Sequence, residues 1–248
     1  MPARVAVLLL PAVAILLLLL ALPLLILLAS SVDNARQPGP LAFVFTLRHY
    51  GEVFYDSYYL EMLARTVKLS ASVTALCLVV GFVLAVALWL AGPRQRVYLM
   101  LIVVAPLLVS VVARTYGWML ILGERGLINT SLLSLGLIET PLRMLFTDGA
   151  IVLGLVHLLT AFAVLSIHAS LERIDWEIVE AAIVAGAGPL RIFASIRLPL
   201  SLPGLAVGAT LVFSLAMSAY ITPALMGGNL SAMATLIYQK FMISFDWN

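Results

Sequence analysis

Charged residues are scarce in this chain, and their distribution excludes most classes of soluble protein. Asp, Glu, Lys and Arg make up 10% of the 248 residues, whereas a typical soluble domain has roughly 25%. None of the four residue types occurs in five long stretches, 5–28, 69–93, 97–113, 149–171 and 198–239. Because apolar stretches of this length can cross a bilayer as helices, the sequence predicts an all-α integral membrane protein.

Residues that would indicate other functions are equally scarce. The single cysteine, Cys77, excludes an internal disulfide framework and is expected to pack as a small hydrophobe. A net charge of +2 gives no reason to expect nucleic acid as a partner. The apolar stretches contain neither paired carboxylates nor a nucleophile with a base, so no catalytic residue is predicted. Their lack of carboxylates and cations also argues against an ion-coupled carrier.

Two histidines, His157 and His168, fall in the stretch 149–171, and their spacing argues against a metal site. Eleven residues correspond to about 16 Å along a helix, so the two side chains cannot share one ion. We expect each histidine to make an interhelical hydrogen bond or to lie near the membrane interface. No metal site is predicted.

The apolar stretches define five predicted spans in a single transmembrane domain that covers residues 1–248. The spans cover about residues 5–28, 69–90, 97–122, 149–170 and 200–222. The first is longer than the apolar core of a secretory signal, which has about 7–15 residues, so it is interpreted as an uncleaved helix. The loop 171–199, between the last two spans, is charged and rich in Ala and Gly.

The basic residues predict the orientation of the chain. On the side of residue 1 the loops carry Arg4, Arg94, Arg96, Arg173, Arg191 and Arg197. The other eight of the 14 basic residues lie on the opposite side, where the loops are more than twice as long. By the positive-inside bias, the N-terminus and the 171–199 loop are therefore predicted to be cytoplasmic.

The 171–199 loop is predicted to form two short helices separated by a bend. Asp175 is a candidate N-cap for a helix over 176–185, and the Gly186 to Pro189 stretch would end that helix and begin the second. The first helix has two apolar faces, one with Trp176, Val179 and Ile183 and the other with Ala181, Ala185 and Ile178. One face can rest on the chain's own spans, and the other indicates a protein partner.

Three segments of the sequence carry a resemblance to a known family. Glu180-Ala181-Ala182, Gly186, Ile196 and Leu198-Pro199 stand at the spacing of the EAA loop, so the chain resembles the permeases of ATP-binding-cassette (ABC) importers. Residues 114–119 (Arg-Thr-Tyr-Gly-Trp-Met), 221–228 (Ile-Thr-Pro-Ala-Leu-Met-Gly-Gly) and 235–239 are similar to segments of the spermidine/putrescine permeases. Gly117 stands where these permeases usually have alanine. Because they continue past an Asp-Trp pair into a sixth span, a sixth span is expected but absent after residue 248.

The resemblance implies the fold of a type I ABC importer transmembrane domain and the function of a polyamine (spermidine/putrescine) permease in a bacterial inner membrane. It implies that Glu180, Ala181, Ala182 and Gly186 form a coupling helix on an ATPase subunit, and that Leu198-Pro199 mark the entry to the fifth span. The implied partners are two cytoplasmic ATP-binding subunits, a second, homologous permease and a periplasmic or extracellular solute-binding protein. Because the partner would hydrolyse the ATP, this chain is expected to bind no cofactor and to be no enzyme.

Polar and aromatic residues near the ends of the third and fifth spans are candidates for the translocation pathway. They are Arg114, Tyr116, Trp118, Tyr220 and Thr222. Each has the alternative interpretation of an anchor at the membrane interface. Two alternative functions stay open, namely a permease of the same family for another small solute (an opine, iron or an oxyanion) and an ion-coupled secondary carrier.

Overall fold

A computed structural model of the chain describes residues 2–32, 45–228 and 232–243, and the regular structure in these ranges is helical. The helices are α1 (Pro2–Ser31), α2 (Arg48–Tyr55), α3 (Ser57–Leu90), α4 (Pro93–Leu108), α5 (Val111–Leu122), α6 (Leu127–Ser134), α7 (Asp148–Leu171), α8 (Trp176–Val184), α9 (Pro189–Ile192), α10 (Leu198–Ser218), α11 (Ile221–Met226) and α12 (Met233–Tyr238). Two π-helical turns, Phe193–Arg197 and Gln239–Ile243, follow α9 and α12.

Four helical segments in the described ranges are long and apolar enough to cross a membrane. They are Val13–Ser31, Ser57–Leu90, Asp148–Leu171 and Pro189–Ser218, and the bent pair Pro93–Leu108 with Val111–Ser134 would make a fifth. This confirms the predicted class of all-α integral membrane protein.

The chain divides into two compact units. The first contains residues 1–60 and 246–248, and in its described part α1 exposes nearly every leucine, as a lipid-facing helix does. Here the Arg48 Nε donates to the Glu52 carboxylate across 2.7 Å, and the Ser31 and Tyr50 hydroxyls lie 2.8 Å apart. The second unit, residues 61–245, contains the helices discussed below.

Helix α7 lies at the centre of the second unit because small residues on α3 and α10 let its neighbours approach closely. A Cβ placed on Gly81 of α3 would lie 2.8 Å from the Cβ of Ala163, and one placed on Gly204 of α10 would lie 2.6 Å from the Ser166 carbonyl oxygen. Gly204 and Gly208 form a Gly-x-x-x-Gly pair, the spacing that brings two membrane helices into backbone contact. Cys77 is fully buried in this core, which confirms its predicted packing role.

The third predicted span, 97–122, contains a sharp break. Helix α4 ends at Leu108 and α5 begins at Val111, and the run Val111–Ser134 is bent by 99° from Pro93–Leu108. The backbone leaves the helical conformation at Val109 and Ser110, which have ψ values of 135° and 134°.

The fifth predicted span also differs from the observed helix. The helical run begins at Pro189 and ends at Ser218, where Ala219 turns extended with ψ 123°. Tyr220 and Thr222 therefore lie beyond this run, at the start of the separate helix α11. Hydropathy did not locate this end because the sequence stays apolar through the break.

Gly204 and Gly117 provide a matched test of the close packing around α7. Gly204→Ala should lower the free energy of unfolding by about 1–3 kcal/mol because its Cβ would force α10 away from α7. Gly117→Ala is the control, because a Cβ there meets nothing within 4 Å. Thermal unfolding of both variants in detergent measures the difference, and equal stability would contradict the packing contact.

Candidate functional site

The 171–199 segment has the predicted bend between two short helices. The Asp175 carboxylate accepts a hydrogen bond from the Glu177 N–H across 3.1 Å, which confirms the predicted N-cap. Helix α8 ends at Val184, and Gly186 adopts φ +79°, in the left-handed region that favours glycine. Hydrogen bonds from Gly186 N to Ile183 O and from Ala187 N to Ala182 O, each 2.9 Å, complete a Schellman cap.

One side of α8 rests on the chain's own spans, while the other side is exposed. Val179 is buried at 1% exposure, and Ala182 packs beside it on the core. Glu180 and Ala181 are exposed, and Val184 is 88% exposed. On the apolar face predicted from Trp176, Val179 and Ile183, only Val179 is buried, since Trp176 and Ile183 are 47% and 54% exposed. The helix rests on the spans along the line through Val179 and Ala182 and, at its start, through the ring of Trp176, which lies 5.1 Å from that of Trp89 on α3.

The second half of the segment joins the span without a break. Pro189 begins α9, and Leu190 is 80% exposed while Ile192 is buried. Ile196 lies half-buried in the π-helical turn, and α10 follows directly with Leu198 and Pro199 as its first residues. The segment therefore continues into α10 as one helical run, Pro189–Ser218.

A second group of polar side chains lies where α5 meets α7 and α11. We call it the α5–α7 polar cluster and define it as Arg114, Thr115, Trp118, His157 and Thr222. The indole Nε1 of Trp118 donates to Nδ1 of His157 across 3.0 Å, and the two rings meet edge to face with centroids 5.6 Å apart. The hydroxyls of Thr115 and Thr222 are 3.5 Å apart and buried.

Arg114 braces the break between α4 and α5. Its guanidinium Nη1 donates to the Pro106 carbonyl oxygen across 2.6 Å, an oxygen whose helical partner is lost where the chain turns extended at Ser110. The residue is only 8% exposed, and its Nη2 has no hydrogen-bond partner among the described residues. The backbone contact therefore accounts for the Nη1 of Arg114.

The structure separates the five pathway candidates. Arg114, Trp118 and Thr222 belong to the α5–α7 polar cluster, whereas Tyr116 is 52% exposed. Residues two positions apart on a helix differ by about 200° around its axis, so Tyr116 points away from Trp118. Tyr220 stacks on Tyr238 of α12 with centroids 4.9 Å apart, and its carbonyl oxygen accepts from the Thr235 hydroxyl at 3.4 Å.

Sequence reasoning did not include His157 and Thr115 among the candidates. The expected interhelical hydrogen bond of His157 is confirmed by its contact with Trp118. The sequence signal for His157 was the rarity of a histidine inside a span. Its exposure is a second signal, but only the structure reveals it. For His168, the Nε2 lies 3.4 Å from the Glu172 carboxylate on the next turn. Among the described residues, no group of three His, Cys, Asp or Glu side chains is arranged to hold a metal ion.

Comparisons with known proteins identify relatives of this chain. No family model matches the sequence. The chain is 32% identical to the spermidine/putrescine transport system permease protein PotB of Haemophilus influenzae over 207 residues, which cover 83% of this chain and 72% of that protein. It is 34% identical to PotB of Escherichia coli K12 over 205 residues, or 82% of this chain and 74% of that protein.

The fold agrees with this similarity. A crystal structure of a bacterial alginate ABC transporter in complex with an alginate pentasaccharide-bound periplasmic protein matches 98% of this chain and 85% of the compared chain, with a TM-score of 0.77 at 18% identity. The loop pattern, the helical fold and the identity to the two PotB proteins agree, and the chain belongs to the ABC transporter permease family that includes the spermidine/putrescine permeases.

Proposed function

We propose that this chain is the membrane-spanning permease subunit of a binding-protein-dependent ABC importer that moves polyamines, spermidine or putrescine, across a bacterial inner membrane. The observation that carries the proposal is the 171–199 segment, which is capped and seated on the spans through Val179 and Ala182 while Glu180 and Ala181 of its EAA motif are exposed. The polyamine substrate is supported by the identity to the PotB proteins.

The exposed face of α8 is suited to a groove on a cytoplasmic ATP-binding subunit. Ala181 permits a close approach, and Val184 and Leu190 offer apolar surface that no part of the described chain covers. Two such subunits would bind and hydrolyse the ATP, and this permease would hydrolyse none. Reversing a 1:99 conformational population takes about 5.5 kcal/mol of differential binding, which ATP and a docked binding protein can supply together.

The α5–α7 polar cluster is suited to the contact with a second permease and to the translocation pathway. His157 is exposed in the isolated chain although it lies within the span of α7. Ionisable side chains inside a membrane almost always face a bundle interior or a water-filled cavity rather than lipid. A second, homologous permease on this face would enclose His157, and the half-buried indole of Trp118 would offer an aromatic face to an ammonium group.

In the proposed orientation the N-terminus and the 171–199 segment are cytoplasmic, where the ATPases are. A solute-binding protein would then deliver the substrate on the opposite side. The density of arginines around the segment supports this orientation.

The substrate and the energy source can be tested together in proteoliposomes that contain both permeases, the ATPase subunits and the binding protein. Uptake of labelled spermidine or putrescine should require ATP and should continue when the proton gradient is collapsed at constant ATP. Uptake that stops with the gradient would indicate a secondary carrier. Uptake of an opine, iron or an oxyanion in place of polyamines would contradict the proposed substrate.

Ala181 tests the docking of α8 on the ATPase. Ala181→Trp should leave folding unchanged, because the residue is exposed, but should remove the ATPase subunit during copurification because the indole fills the groove. Ala206→Trp, on an exposed position of α10, is the control. Equal recovery of the ATPase with both variants would refute the assigned docking face.

Gly186 tests whether the geometry of the bend transmits the coupling. A residue with a Cβ at φ +79° costs about 1–2 kcal/mol, so Gly186→Val should distort the bend and abolish uptake, while the binding protein keeps its affinity for the substrate. Gly188→Ala is the control because Gly188 has φ −69° and open space around its Cα. Normal uptake by Gly186→Val would sink the coupling role of the bend, as would a loss of uptake by both variants.

A further inference from the structure

Both ends of the 171–199 segment contact one residue, Trp89, in the last turn of α3. The ring of Trp176, the first residue of α8, has its centroid 5.1 Å from that of Trp89, with the planes tilted by 51°. At the other end of the segment, the Arg197 guanidinium carbon lies 5.2 Å from the Trp89 ring centroid. One half-buried indole therefore contacts the chain where it enters α8 and where it enters α10.

Arg96 ties the same end of α3 to the start of the segment. Its Nε donates to the Leu88 carbonyl oxygen across 3.2 Å and its Nη2 to that of Trp89 across 3.3 Å. These carbonyls belong to the last turn of α3, where the helix itself supplies no donors. The Nη1 of Arg96 reaches the Glu172 carboxylate at 3.4 Å, directly after α7.

The Arg96–Glu172 pair is half exposed, with side-chain exposures of 40% and 51%. Exposed ion pairs contribute little on their own. Its importance is therefore geometric, since one guanidinium spans the end of α3 and the first residue after α7.

A third contact lies two turns earlier on α3. Phe82 meets Phe193 of the π-helical turn edge to face, with centroids 5.5 Å apart. The Nε of Arg197 is buried without a hydrogen-bond partner among the described residues, as fits a guanidinium that packs over a ring. The π-helical turn is thus held against α3 at its beginning by Phe82 and at its end by Trp89.

From these contacts we propose that Trp89, assisted by Arg96, is a positioning site that clamps both ends of the coupling segment to α3. A displacement of α8 by the ATPase then moves the end of α3 together with α7 and α10. The proposal rests on the coupling function proposed above and adds a claim of its own, that α3 is driven through Trp89.

The test is the amount of spermidine taken up per ATP hydrolysed by the assembled transporter in proteoliposomes. Trp89→Ala should lower this ratio about five- to tenfold, at the low end of the range for coupling between two sites. Trp89→Phe, which keeps an aromatic face, should restore most of the ratio. Leu90→Ala is the control, because it removes a neighbouring side chain that is 51% exposed. A purely structural defect would lower uptake and ATP hydrolysis in proportion, and that outcome would overturn the proposal.

A second variant covers the case in which Trp89→Ala does not assemble. Trp89→Cys combined with Trp176→Cys removes both rings, and a short bis-methanethiosulfonate linker can then join the two thiols. The native thiol of Cys77 is fully buried. Treating the parent chain with the same linker checks that this thiol does not react. Cross-linking should restore uptake per ATP, because a clamp stays closed through the cycle. A cross-link that leaves the ratio low would refute the clamp.

The failure of the clamp can be distinguished from the failure of the coupling function. If Trp89→Ala has a normal ratio while Gly186→Val abolishes uptake, the clamp is wrong and the coupling segment stands. If Gly186→Val also transports normally, the coupling function itself is wrong.

Discussion

Every backbone carbonyl that a helix leaves unpaired near the membrane needs a donor from elsewhere in the chain, and this constraint determines where the protein can bend. At the break between α4 and α5, Arg114 supplies the donor to Pro106. At the end of α3, Arg96 supplies two donors. At the end of α8, the chain supplies its own donors through the left-handed Gly186. Unpaired polar groups in an apolar environment are costly, so each of these three bends coincides with a specific residue that stabilises it.

This constraint changes the interpretation of Arg114. A buried arginine in a span suggests a ligand contact, and the sequence includes it among the pathway candidates. The structure provides a structural role for it in the hydrogen bond to the Pro106 carbonyl oxygen. Trp118 is different, because its hydrogen bond to His157 fixes the ring while no backbone group depends on it. The indole is therefore the stronger candidate for contact with a transported cation, and Arg114 holds the helix that presents it.

The sequence could predict the class, the approximate spans and the bend in the 171–199 segment, because these depend on local patterns. Apolar length determines a span, and Asp175, Gly186 and Pro189 act on their immediate neighbours. It could not predict the break at residues 109–110, since composition continues unchanged through it. It also grouped Ile183 with Val179, because helical periodicity shows which residues share a face but not how wide a strip the neighbours cover. The convergence of Trp176 and Arg197 on Trp89 depends on tertiary packing alone.

Helix α7 connects the α5–α7 polar cluster with the beginning of the 171–199 segment. It carries His157 in its interior and ends one residue before Glu172, so about 22 Å of continuous helix separates the contact with Trp118 from the contact with Arg96. Close packing against Gly81 and Gly204 leaves α7 little room to move independently of α3 and α10. A displacement at one end is therefore transmitted as a movement of the packed helices together, since tightly packed interiors transmit strain instead of absorbing it. The small residues at these contacts thus serve the stability of the helix bundle, and in the proposed mechanism they would also provide the mechanical connection between the ATPase side and the pathway.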